Sequence, residues 1–160
     1  MDNNTEKVLL AKDIMKTNVY SVSPDTTIKE VARIMIEKGI SAVPVVSKYD
    51  EVLGVVSEAD LIYKIVKPNE PGIMTFLAHA MLKSKDEVLE YRKAVARWNA
   101  QTAEEAMTSP VLCVDMNEPV VQVAEKLMGN RVKRVIVAEN GHLAGIISRA
   151  DFVKLIFNEE

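Results

Sequence analysis

GVVSEADL (residues 54–61) returns later in the chain as GIISRADF (residues 145–152). Each stretch places glycine, two branched apolar residues, serine, a variable residue, alanine and aspartate in the same order. Both read as a strand passing through a serine into a helix. Branched residues favour strand, and serine with an acid three positions on is a helix-start pattern.

The likeness extends outward from this motif. Asp13–Ile62 aligns with Glu105–Val153, so that Met15 falls on Met107, Val31 on Val123, Gly54 on Gly145 and Asp60 on Asp151. One residue is lost between Val46 and Gly54, where one copy has SKYDE and the other ENGH. A hairpin turn tolerates such a change of length. Each copy then reads strand, helix, strand, turn, strand, helix. NVYSV and PVLCV are strand-like, and Ile28, Val31, Ala32 and Met35 lie at helical spacing, as do Val120, Val123, Ala124 and Leu127. SAVPVV and KRVIVA are strands, and VLGVVS and LAGIIS return after the turn. One unit alone leaves apolar surface uncovered, and two packed together bury it, which is a physical reason for duplication.

The bulk numbers suit a globular chain of 160 residues, with 48% hydrophobic and 27% charged residues. A formal net charge of −3 argues against a broad nucleic-acid footprint. One cysteine, Cys113, excludes an internal disulfide, and with only His79 and His142 besides, no metal is expected to be required. The first residues lack the order of a signal peptide, and no apolar run has the length of a membrane span. The expectation is a soluble, cytoplasmic protein, with Cys113 a small core residue in a strand.

Between the copies lies a segment with no counterpart. KPNEPG (67–72) reads as loop, and Ile73, Phe76, Leu77, Ala80 and Met81 as a short amphipathic helix. Ser84 and Glu87 resemble a capping box, opening a helix whose stripe is Val88, Tyr91, Val95 and Trp98; Thr102 and Glu105 resemble another. The segment either packs on its own module or serves as a lid or partner contact. The boundaries are therefore a first repeat over 8–66, a helical insert over 67–100 and a second repeat over 101–158.

Ser57 and Asp60, like Ser148 and Asp151, suit a helix start without further function: serine at N-cap, aspartate at N3. The same geometry is also a prepared anion site, with the hydroxyl serving phosphate and the carboxylate accepting the two hydroxyls of a ribose. Both readings stand on these residues alone.

The ordered set DIM and EAM, VSPDTTIKEVARIM, GISAVPVV and the two Ser-x-Ala-Asp motifs resembles the cystathionine-β-synthase (CBS) domain, and the pair resembles a Bateman module. The resemblance implies an α/β fold of tandem CBS repeats, each a three-stranded sheet with two main helices. The repeats would be related by a pseudo-twofold axis, with two clefts between them. It implies an adenosine nucleotide (AMP, ADP or ATP) as regulatory ligand, or an S-adenosylmethionine-type compound. Carried over by position, Ser57 and Asp60 are expected beside Ser109, Val111, Leu112, Val132, Lys133 and Arg134. Ser148 and Asp151 are expected beside Thr17, Val19, Tyr20, Ile40, Ser41 and Ala42. Asp60 and Asp151 would take ribose; Ser57, Ser148, Lys133, Arg134 and Arg149 would take phosphate; the others would enclose the base. Lys133 and Arg134 would make the Ser57 cleft the one for a phosphorylated ligand, with Glu58 opposing. The family pattern is weaker in the second copy, which has Ile136 where the first has Pro44.

No nucleophile, base and orienting group converge in the sequence, and neither a Walker motif nor GxGxxG occurs, so no catalysis is expected. A stand-alone homodimeric module signalling to a separate effector protein is one reading. A structural pairing module with vestigial clefts is the other.

Overall fold

The protein is described by a computed structural model that covers residues 8–68 and 86–158. It forms two compact units: Met1–Ser21 with Val46–Leu53 and Pro110–Glu160, and Val22–Val45 with Gly54–Ser109. Each unit therefore combines most of one copy with the leading segment of the other.

The first unit is built on the second copy. Strands β3 (Cys113–Asp115), β4 (Arg134–Glu139) and β5 (His142–Ser148) form a sheet in that order. β3 and β4 are parallel, so a crossover is required between them, and helix α6 (Val120–Gly129) supplies it. β4 and β5 are antiparallel, with Glu139 opposite His142. Asn140 and Gly141, at φ 51° and 84°, make the two-residue turn, whose left-handed backbone matches the twist of the strands. Helix α7 (Arg149–Asn158) follows β5 directly. Ala11, Val114, Val123, Leu127, Val135, Val137 and Ile147 form the core. The tip of the first hairpin joins this unit by pairing with the second: the Val52 amide donates to the Gly141 carbonyl at 3.0 Å, and the Leu143 amide to that of Asp50 at 3.0 Å.

The second unit is built on the first copy. Helix α2 (Ile28–Lys38) starts at Thr27, whose hydroxyl accepts the Glu30 amide, and stops at Gly39, left-handed at φ 61°. Strands β1 (Ala42–Val46) and β2 (Val52–Ser57) form the hairpin, and helix α3 (Glu58–Ile62) follows. Helix α4 (Asp86–Asn99) comes from the insert, and α5 (Ala103–Ala106) opens the second copy, as α1 (Ala11–Ile14) opens the first. Val22, Val31, Met35, Val43, Val45, Val56, Ala100, Ala103 and Ala106 are its core. Full burial of each valine contributes about 1.5–3 kcal/mol against exposure.

The fold class is the one expected, an α/β arrangement of tandem repeats, with two differences in detail. The run 18–22 is no strand: it pairs only at Val22, parallel to Val45, where the second copy has three residues of β3. The Val19 amide instead bonds to the Thr17 carbonyl at 3.0 Å, a tight local turn that takes the segment out of the ladder. Cys113 is exposed rather than buried, because β3 is an edge strand whose alternation turns Val114 inward. Thr102 caps α5 as expected, while the Glu105 carboxylate reaches back to the Gln101 amide at 2.6 Å. Tyr91, Val95 and Trp98 are half-buried along α4; Ile73, Phe76, Leu77, His79, Ala80, Met81, Ser84 and the Val88 side chain lie outside the described residues.

Candidate functional site: two buried serine–aspartate caps

The leading segment of each copy runs beside the last strand of the other. Lys16 and Ile146 exchange both backbone hydrogen bonds at 3.0 Å; Val55 and Thr108 do the same at 3.2 and 2.9 Å. The glycine of each motif permits this approach. A Cβ on Gly54 would lie 2.6 Å from Met107 Sδ and 2.9 Å from the Thr108 carbonyl; one on Gly145 would lie 2.7 Å from Met15 Sδ and 2.9 Å from that of Lys16. The crossing segment thereby reaches the serine and aspartate that follow.

Asp60 and Asp151 are 5% and 7% exposed, the buried charged side chains among the described residues. Burial of a carboxylate is costly unless hydrogen bonds satisfy it. Oδ2 of Asp60 accepts from the Ser57 amide at 2.9 Å and hydroxyl at 2.6 Å. Oδ2 of Asp151 accepts from the Ser148 amide at 2.8 Å and hydroxyl at 2.6 Å. One oxygen of each carboxylate thus ties down the helix start, and the serine hydroxyl serves as donor to it.

The other oxygen faces the crossing segment. Lys16 Nζ lies 2.9 Å from Asp151 Oδ1. At the equivalent position the second copy has Thr108, whose hydroxyl is 3.4 Å from Asp60 Oδ1, and the cation comes from elsewhere: Arg97 Nη2 of α4 lies 3.6 Å from that oxygen. Burial pushes the Asp151 carboxyl up, but the Ser148 hydroxyl, the Lys16 ammonium and the Ser148 amide outweigh it, and the group sits below the usual carboxylate value.

The structure regroups the expected contact residues. The Ser41 carbonyl accepts from the Glu58 amide at 3.1 Å, which places Ile40, Ser41 and Ala42 with Ser57 rather than with Ser148. The Lys133 carbonyl accepts from the Arg149 amide at 3.1 Å, the Val132 carbonyl from Arg149 Nε at 3.0 Å, and Arg134 is the register partner of Ser148. Val132, Lys133 and Arg134 therefore belong with Ser148, not with Ser57. The reason is the hairpin itself, since antiparallel pairing sets the first residue of one strand against the last of the next. Thr17, Val19 and Tyr20 are in the unit of Ser148 and Asp151, and Ser109 is in that of Ser57 and Asp60. Val111 and Leu112 lie in the first unit, with Leu112 against its core.

The regrouping reverses the expected charge balance. Lys16, Lys133, Arg134 and Arg149 collect in the unit of Asp151, and Glu58 stays beside Ser57. A groove of about 480 Å³ lies in the second unit, lined by Met35, Ile36, Ile40, Ser41, Glu58 and Leu61 among others. Lys16, Thr108 and Arg97 were not legible as site residues, though the repeat alignment put Lys16 and Thr108 at one position. His142 is exposed as the first residue of β5, just after the turn.

Among the described residues no three His, Cys, Asp or Glu side chains gather to hold a metal, and no helix is long and apolar enough to cross a membrane.

The chain is 26% identical over 160 residues to an uncharacterised protein of Methanocaldococcus jannaschii, covering 96% of this chain and 95% of the relative. It is 24% identical to a homoserine O-acetyltransferase of Methanosalsum zhilinae over 94% of this chain, but spans only 24% of that protein. Among solved structures, CBSX2 in complex with AMP superposes with a TM-score of 0.76 at 22% identity, covering 93% of this chain and 97% of that one. The CBS domain pair of protein MJ0100, in complex with 5′-methylthioadenosine and S-adenosyl-L-methionine, superposes with 0.68 at 23% identity, covering 96% and 99%. The CBS domain model matches residues 11–67 and 103–158, which take in both serine–aspartate motifs, and the chain belongs to the CBS domain family.

Proposed function

We propose that this protein is a regulatory module that binds an adenosine nucleotide at Ser148 and Asp151, with a second, less basic site at Ser57 and Asp60. The observation that carries the reading is the split use of each carboxylate. Oδ2 is committed to the helix start, while Oδ1 is buried and met by a mobile-ended group, Lys16 or Arg97, that a ribose hydroxyl can replace. CBSX2 with AMP and the MJ0100 pair with adenosyl compounds support the ligand class.

At the Asp151 site, Ser148, Arg149, Lys133 and Arg134 take phosphate, and Thr17, Val19, Tyr20 and Val132 enclose the base. At the other, Ser57 takes phosphate and Ile40, Ser41, Ala42 and Ser109 enclose the base. The cluster of cations favours a phosphorylated ligand (AMP, ADP or ATP) over S-adenosylmethionine, whose sulfonium adds positive charge where Lys16 and Arg149 already stand. The module acts as a cytoplasmic homodimer on a separate effector protein, by binding ligand more tightly in one arrangement than in another.

The competing reading, a pairing scaffold without ligand, draws on the same Oδ2 contacts, which satisfy a cap with no ligand at all. Isothermal titration with AMP, ADP, ATP and S-adenosylmethionine decides between them. AMP is expected to bind, and D151A to weaken it about tenfold, the worth of one charge-assisted hydrogen bond. Absence of heat with all four ligands establishes the scaffold.

A further inference from the structure

The two caps differ in where their cation comes from, and this difference reaches the insert. Lys16 sits in the crossing segment, whereas Arg97 sits in the last turn of α4. Its guanidinium lies 3.6 Å from Asp60 Oδ1, 3.4 Å from the Thr108 hydroxyl and 5.2 Å from the centre of the Tyr63 ring. The next residue of the same turn is held too: Lys64 Nζ donates to the carbonyls of Trp98 at 2.8 Å and Ala100 at 2.6 Å. Asp60, Tyr63 and Lys64 all belong to α3 or the residues just after it, so one short helix grips the end of α4 through three neighbouring side chains.

We propose that Asp60 and Arg97 form a latch through which occupancy of the Asp60 site is read by the insert helix. Rotation of Arg97 away leaves Asp60 Oδ1 open to a ligand hydroxyl; its return closes it. The contact is loose enough to be displaced, because an ion pair beyond hydrogen-bond distance with a 30% exposed arginine is weak. A ligand that takes Asp60 therefore loosens the end of α4, and a partner that holds α4 away raises ligand affinity by the same factor, since such coupling is reciprocal. The Asp151 site, neutralised by Lys16, lacks this connection. The ligand arm of the inference rests on the nucleotide reading of the site; the latch itself does not.

Trp98, the single tryptophan, adjoins Arg97 and reports on the latch without ligand. Acrylamide quenching of Trp98 in R97A and in D60N is expected to rise about twofold over wild type, with R97K restoring part of the protection; quenching unchanged in R97A overturns the latch. D60N also removes a cap acceptor, so R97A, at a 30% exposed side chain, carries the result if D60N fails to fold. In a D151N background, AMP titrated into R97A is expected to bind about three- to tenfold tighter than into the arginine form, and to raise Trp98 quenching in the latter. If D151N does not fold, a two-site fit on the wild-type background serves. Equal or weaker binding overturns the displacement of Arg97 by ligand. No AMP heat in any variant overturns the nucleotide reading, while the ligand-free quenching still decides the latch.

Discussion

Lys16 Nζ stands 2.9 Å from Oδ1 of Asp151, a residue far away in sequence, and thereby balances a carboxylate that is only 7% exposed. The contact links the leading segment of one copy to the closing motif of the other. Together with the Ser148 hydroxyl, and with the Ser148 amide, it holds the carboxyl below its usual value against burial, which alone would favour the neutral acid.

The first prediction follows from that balance. The folded-state pKa of Asp151 is lowered, by the Ser148 hydroxyl, Lys16 and the Ser148 amide against the opposing effect of burial. A carboxyl with a lowered folded value contributes stability that is complete above its unfolded pKa of about 3.9 and is lost as pH falls through the folded value. D151N is expected to cost about 1–3 kcal/mol at pH 7, with the gap to wild type closing below about pH 4. Urea denaturation across pH 3–7 measures it. A gap that stays constant down to pH 3 shows that shape, not charge, is what Asp151 supplies. K16A, at a 54% exposed lysine, is expected to cost no more than about 1 kcal/mol.

Glycine gives a second prediction. G54A and G145A each thrust a methyl group against a methionine sulfur, which can swing aside, and against a backbone carbonyl 2.9 Å away, which is held in the bridge to the crossing segment. Each is expected to cost about 1–3 kcal/mol as an overpacked site, read by thermal or urea unfolding. Gly129 is the internal control: nothing lies within 4 Å of its added Cβ, and it closes helix α6. G129A is expected to be neutral or to stabilise by up to about 1 kcal/mol. Equal losses at all three positions would sink the crossing argument.

These glycines also show what the chain discloses before folding. The repeat, the strand–helix–strand order and the cap at Thr102 follow from local patterns, because spacing and capping chemistry act within a few residues. The grouping of Arg134 with Ser148 was equally implied by the hairpin, whose antiparallel register sets strand start against strand end; carrying family contacts across the repeats obscured it. Lys16 and Arg97 were of another kind. Nothing local marks a lysine beside Met15, or an arginine late in an insert helix, as the counter-charge of a distant aspartate. Only the crossing of the leading segments and the docking of α4 create those pairs. Cys113 erred through a simpler cause: alternation on a three-residue edge strand leaves one side outward, and the choice between Cys113 and Val114 depends on which helix covers the sheet.

The third prediction concerns phosphate. Lys133 and Arg149 are held in place by backbone contacts at the start of β4 and α7, with Arg149 Nε donating to the Val132 carbonyl at 3.0 Å. A phosphate at this helix start gains from both cations and from the helix end. Charge reversal by R149E or K133E is therefore expected to weaken AMP and ATP about tenfold or more while leaving adenosine within about twofold, and to flatten the salt dependence of nucleotide binding. E58R, in the other unit, is expected to strengthen AMP binding at Ser57 by adding the cation that the Ser148 motif already has in Arg149. Competition titrations of adenosine against AMP at low and high salt measure both effects. Equal losses for adenosine and AMP in R149E would mean that the arginine shapes the site rather than meeting phosphate, and would move the phosphate role away from α7.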